Sequence, residues 1–341
     1  MNKKHTFPFI AMLALLLLLS SCEYIFFQPG VDTGASATFE YLWNKVNEQY
    51  AFFDVKDVDW ESVYLHYEPH IYDGMPDDSL FYYLGNMMNE LKDGHVNLIS
   101  EFNVSRYDIT MLGPQNINYR LVKENYLGTD MYITGPFQHN FIANGQVGYI
   151  RYASFSDNFT DEQFVFILNR YSDTRGLIID MRQNGGGYGH NITKLLSHLI
   201  HSDQPIYTSA IKSGPDHNDF SEAVPLYSTP YDTTLKYSNP VAVLIDRGSY
   251  SATSVFALAT LSVDNIFLVG DTTGGGLGMP NGGQLPNGWT YRFSITRTLT
   301  ANGVNYENGI PPTIHSLLDA GDVARGWDTV IETALDTLLA R

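Results

Sequence analysis

From residue 147 onward, short apolar runs alternate with stretches in which apolar residues return at helical spacing. The runs at 148–152, 177–181, 241–245 and 266–270 are short and predominantly apolar, the pattern of strands covered on both faces of a parallel sheet. Between and after them, 161–171, 192–199 and 251–261 read as helices, so the order is that of βαβ crossovers. Residues 284–300 read as a hairpin around Pro286-Asn287-Gly288, and 323–339 as a closing helix. Upstream, Phe39, Leu42, Trp43 and Val46 recur at helical spacing, as do Trp60, Val63, Tyr64 and Tyr67 beyond a turn at 57–59. A third helix over 78–91 ends near Gly94, and 95–146 reads as β-rich, with turns at Gly113-Pro114 and Gly135-Pro136. The expected architecture is α/β, with a helical cap subdomain over 37–94 and a core over 95–341.

Two strand ends in this pattern carry candidate chemistry. The run 241–245 stops before Gly248 and delivers Ser251 to the start of an apolar helix, where backbone N–H groups can stabilise an oxyanion. Taken alone, Ser251 reads as an ordinary N-cap. The run 177–181 leads through Asn184 into Gly185-Gly186-Gly187, which lets backbone approach a ligand closely.

Together the two segments resemble the C-terminal processing, or tail-specific, serine peptidases, whose pattern is approximately D-x-R-x-N-x-G-G followed by G-S-x-S-A. Asp180, Arg182, Asn184, Gly186 and Gly187 fill the first motif; Gly248, Ser249, Ser251 and Ala252 fill the second. Segments 147–155, 269–274 and 307–312 extend the resemblance over most of 41–312. It implies a crotonase-like (ClpP/crotonase-type) peptidase core, with Ser251 as nucleophile and the N–H groups of Gly186 and Ala252 as oxyanion hole; Gly187 is an alternative donor. Many members carry a PDZ domain ahead of the core, but only about 50 residues separate His95 from Val147, so none is expected.

The base that activates a serine decides whether the site is an enzyme. Bacterial processing peptidases use a lysine about 25 positions after the serine, where this chain has Gly276, and no lysine follows Lys236. A second branch, which includes the tricorn protease core, uses a histidine after the helical region and a late glutamate. Segment 91–98 is similar to that histidine segment, placing His95 as base, and Glu307 matches the glutamate that would hold it. Without the resemblance, His95 reads as a helix C-terminal histidine and Glu307 as a solvated loop carboxylate. The chain departs from the family pattern at Gly94, Gly185, Ser254 and Thr313. His190, beside the glycines, reads as a helix-start histidine or a substrate contact.

Composition narrows the setting. A net charge of -17 argues against nucleic acid as a partner. Lys3 and Lys4, the apolar run 9–19 and Leu19-Ser20-Ser21-Cys22 read as a lipoprotein signal over 1–22. A tether over 23–36 follows. Cys22 is the sole cysteine, so no internal disulfide forms and its lipidation would anchor the chain to a membrane of a bacterial envelope. No metal or organic cofactor is implied, since neither a ligand-spaced cluster nor a dinucleotide fingerprint is present. The leading expectation is an envelope lipoprotein serine endopeptidase acting on peptides or proteins. Alternatives are an inactive protease-fold protein that binds peptides or apolar ligands, and a crotonase-like acyl transferase or hydrolase.

Overall fold

A computed structural model describes residues 32–109, 113–232 and 237–340; Cys22 and the signal segment lie outside them. Helices Ala35–Gln49, Trp60–Tyr67 and Asp77–Asn89 form the N-terminal layer. Their inward residues, among them Phe39, Trp60, Leu84 and Met87, share one buried cluster with Leu285, Trp289, Tyr291 and Phe293 from much later in the chain. Trp43 and Trp60 each donate an indole N–H to the other's carbonyl, at 3.1 and 3.2 Å.

The chain then forms β1 (Asn97–Ile99) and β2 (Val104–Arg106). A helical stretch follows, Tyr119–Val122 continuing into Lys123–Leu127. Next come β3 (Tyr132–Thr134), β4 (Phe137–Ile142), β5 (Val147–Tyr152) and β6 (Gly176–Asp180). The remaining strands are β7 (Gln204–Ile211), β8 (Val224–Ser228), β9 (Val241–Ile245), β10 (Ile266–Gly270), β11 (Pro280–Gln284), β12 (Thr290–Ser294), β13 (Thr296–Leu299) and β14 (Ile314–His315).

Seven strands make the central sheet in the order β14-β10-β9-β6-β5-β4-β3. The run from β14 to β5 is parallel, and β4 and β3 are antiparallel additions. Every residue of β5, β6, β9 and β10 is buried, as both-face coverage requires. Val241, Val243 and Ile245 point into the cluster under helices Asp161–Arg170, His190–Ser197 and Ala252–Thr260. Ala242 and Leu244 point to the opposite face, covered by helix Thr329–Ala340 and the 119–127 stretch. This is the α/β layering expected from the βαβ order.

Three local expectations change. Residues 119–127 are helical rather than β-rich, because Asn118 caps the turn through a bond from the Leu121 N–H. The hairpin begins earlier, at Pro280, and pairs β11 with β12; β12 also pairs with β1, which joins this sheet to the helical layer instead of the central one. β13 leaves it for a second small sheet with β7 and β8. The closing helix is split into Ala320–Arg325 and Thr329–Ala340, the first ending at Gly326.

The Asp180 and Arg182 of the first motif serve this frame. The buried Arg182 guanidinium donates to Asp180 at 2.6 Å, to Asp328 at 2.9 Å and to the Asn116 carbonyl at 2.8 Å. Asp328 in turn accepts from the N–H groups of Val330 and Ile331 at the start of the last helix. Removing one member leaves Arg182 charged and under-paired in the interior. Asp328→Ala is therefore expected to destabilise the fold by about 3–5 kcal/mol, read as a lower urea midpoint at unchanged slope.

Candidate active site

β6 and β9 are parallel neighbours, so the loops leaving their carboxyl ends meet. Asp246, the first residue after β9, accepts from the backbone N–H of Gln183 at 2.8 Å and of Gly248 and Ser249 at 3.1 Å. Ser249 Oγ donates to the Met181 carbonyl at 2.9 Å, and the Tyr250 N–H to the Asn184 carbonyl at 3.0 Å. These bonds fasten the glycine loop to the serine turn. At the turn's apex Ser251 adopts φ 55° and ψ -121°, a conformation that costs a non-glycine residue about 1–3 kcal/mol and persists only where surroundings over-determine it. The Ser251 hydroxyl makes no capping bond to helix Ala252–Thr260, so it does not serve as an ordinary N-cap. It lies 2.9 Å from His95 Nε2.

His95 reaches the serine from the far side, just after the helical layer, and is 7% exposed. Its Nδ1 faces Ser294 Oγ at 3.4 Å, at the end of β12. Burial pulls the imidazole below its ordinary value of 6.5; the Asp93 charge and a backbone hydrogen bond at Gly278 oppose this, while Arg292 and Lys56 add to it. Glu307 stands elsewhere in the site than its expected role requires. Its fully buried carboxylate accepts the Leu277 N–H at 2.7 Å and lies 3.8 Å from Lys56 Nζ, and no hydrogen bond joins it to His95. Loop 306–309 hands Glu307 to the backbone of the 276–278 segment, and it is that segment that lies beside the imidazole. Burial, then repulsion from Asp93, pushes the Glu307 carboxyl up to about 8.

The expected oxyanion pair is also altered. The Gly186 N–H donates to Asn184 Oδ1 at 3.0 Å and is thereby engaged. A Cβ at Gly186 would stand 2.7 Å from the Tyr250 carbonyl and 2.8 Å from Ser251 Cβ, so glycine here permits the close approach of the two loops. Gly187 and Ala252, instead, border the same cavity as Ser251. That cavity, about 400 Å³, is walled mainly by Ile192, Tyr207, Leu226, Val255, Leu277 and Met279.

Comparison with known proteins places the chain in a family. Residues 146–316 match the model of peptidase family S41, and 36–89 match the tricorn protease C1 domain. A solved structure of a candidate peptidase from Parabacteroides merdae ATCC 43184 is 38% identical, with a TM-score of 0.87 over 90% of this chain and 98% of that one. The chain belongs to peptidase family S41. The carboxy-terminal processing protease CtpB of Bacillus subtilis is 32% identical over 171 residues, 49% of this chain; the match spans only 33% of CtpB. The tricorn protease structure shares the fold, with a TM-score of 0.53 at 14% identity over 90% of this chain and 36% of that one.

Within S41, the structure explains why position 276 carries no lysine. A Cβ on Gly276 would fall 2.3 Å from Tyr250 Cζ, so the Tyr250 ring occupies the space a side chain would need. The other departures are quiet: Ser254 donates to the Ser249 carbonyl and Thr313 accepts the Leu268 N–H. His190 bonds Asn158 and is exposed at its helix start, with no hydrogen bond to Ser251 or His95. Sequence reasoning did not single out Asp93, which lies beside the histidine, or Ser294, Tyr50 and Tyr250, whose hydroxyls donate to Asp93. Asp93 had a signal, its place two residues before His95; Ser294, inside a strand, had none. His95 is expected to titrate below 6.5, measured from its ring resonances by comparison with His95→Gln.

Proposed function

We propose that this S41 chain is a lipid-anchored serine endopeptidase of the bacterial cell envelope that cleaves peptide bonds through an acyl-enzyme. The observation that carries the proposal is the 2.9 Å approach of His95 Nε2 to a strained Ser251 hydroxyl that caps nothing. Neutral His95 accepts the Ser251 proton as Oγ attacks the peptide carbonyl, and the oxygen that becomes negative sits against the Gly187 and Ala252 N–H groups. The imidazolium then gives its proton to the departing amine. In the second half, His95 takes a proton from water, the hydroxide attacks the ester, and the proton returns to Ser251. The apolar cavity beside Ser251 suits an aliphatic or aromatic side chain on the residue whose carbonyl is attacked.

The envelope location rests on sequence: the basic pair Lys3 and Lys4, the apolar run 9–19 and the sole cysteine in Leu19-Ser20-Ser21-Cys22. Among the described residues no helix is long and apolar enough to cross a membrane.

Ser251→Ala is expected to abolish cleavage of an unstructured apolar peptide at unchanged Tm, and His95→Ala to lower kcat by about 10²–10⁴-fold. Tight binding of such peptides by wild type with no cleavage would favour the binding-protein alternative. Cys22→Ala is expected to move the protein from the membrane fraction to the soluble one or to block its processing; unchanged fractionation and unchanged mature mass would contradict the anchor.

A further inference from the structure

We propose that Asp93, acting through the hydroxyl of Ser294, is the positioning residue that orients His95 and compensates its charge in the reaction, a role that rests on the catalytic reading above. Asp93 is 1% exposed and gathers four donors. Its Oδ1 accepts the His95 backbone N–H at 2.8 Å and the Tyr250 hydroxyl at 3.0 Å. Its Oδ2 accepts the Tyr50 hydroxyl at 3.1 Å and Ser294 Oγ at 3.2 Å. A serine hydroxyl has one proton and two lone pairs. With that proton directed to Asp93, Ser294 can only accept at its remaining contact, His95 Nδ1 at 3.4 Å. The separation is at the long end for such a bond, as is common before substrate tightens a site. Nδ1 then carries the imidazole proton, which leaves Nε2 as the acceptor facing Ser251. The order Asp93–Ser294–His95–Ser251 supplies the tautomer that proton abstraction needs.

The remaining groups around the imidazole support this assignment. Besides Asp93, the imidazole is met by the cations of Arg292 and Lys56, by a backbone hydrogen bond at Gly278 and by the Tyr250 ring, while Glu307 and the Tyr50 and Tyr250 phenols act on Asp93. Burial drives both phenols well above their ordinary value, so they stay neutral donors to Asp93. Glu307 is pushed upward by burial and by Asp93 itself. Asp93 accepts from four donors, whereas one oxygen of the Glu307 carboxyl has no hydrogen-bond partner. Glu307 holds backbone N–H groups of the 276–278 segment, while the negative charge that faces His95 is that of Asp93.

The test is a set of kcat and KM profiles against pH for wild type, Asp93→Asn, Ser294→Ala and Glu307→Gln, on a fluorogenic peptide with leucine at the cleaved bond. Removing the Asp93 charge destabilises the imidazolium. Asp93→Asn is therefore expected to move the acid limb to lower pH by more than about half a unit and to cut kcat on the order of 10²-fold, with KM retained. Ser294→Ala, which leaves Asp93 with its backbone and phenol donors, is expected to remain folded and to cut kcat at least about tenfold at unchanged KM. Glu307→Gln is expected to leave the acid limb in place. A limb that moves in Glu307→Gln but not in Asp93→Asn, or a full kcat in Ser294→Ala, would overturn the role. Should Asp93→Asn not fold, the Ser294→Ala kcat alone decides. Cleavage that survives Ser251→Ala or His95→Ala would instead remove the catalytic reading itself.

Discussion

The site exists because a buried carboxylate, Asp93, binds three separate parts of the molecule at once. Tyr50 closes the first helix of the N-terminal layer, Ser294 ends β12, and Tyr250 belongs to the serine turn of the α/β core. A charge this deep in the protein is tolerable only when its lone pairs are satisfied, and four donors meet that demand. The same bonds that solvate Asp93 fix His95 two residues on, 156 positions from Ser251 in sequence and 2.9 Å from it in space. Docking of the helical layer and assembly of the Ser–His pair are thus one event.

The core contributes the complementary constraint. Parallel β6 and β9 bring two loops together at their carboxyl ends, and Asp246 with the Ser249 and Tyr250 bonds locks one onto the other. That lock sustains the positive φ of Ser251 and presents its hydroxyl to the histidine instead of to its own helix. The apolar cavity is completed by residues from β7, β8 and the 276–279 segment; Glu307 accepts the Leu277 N–H of that segment, and the Ser251 N–H donates to the Gly275 carbonyl just before it. The Tyr250 ring, packed 5.1 Å from the His95 ring, also fills the space beside Gly276. One aromatic residue thereby packs on His95 and leaves no room for a side chain at 276.

Much of this was legible in the chain. Buried parallel strands announce themselves as short apolar runs, and those at 148–152, 177–181, 241–245 and 266–270 lie within a residue of β5, β6, β9 and β10. Ser251 and His95 were recognisable through their motifs, and the structure brings them into contact. What could not be read were relations between atoms. Two acidic residues 214 positions apart, Asp93 and Glu307, converge on one buried space, and only coordinates tell which accepts from whom. Gly186 matched a motif, yet its N–H turns to Asn184 and leaves Gly187 at the cavity. Asp180 and Arg182 matched the same motif and prove to be braces for the closing helix. A hairpin was visible at 284–300, but its true span of 280–294 and its allegiance to β1 rest on long-range packing that periodicity does not encode.

Activation of Ser251 by His95, as proposed, is measurable without a natural substrate. Wild type and His95→Ala are treated with a fluorophosphonate at neutral pH and followed by intact mass, with the adduct located by peptide mapping. A single stoichiometric adduct on Ser251 is expected in wild type, formed far more slowly in His95→Ala. An unmodified Ser251 in folded wild type, or equal labelling rates in the two proteins, would contradict it.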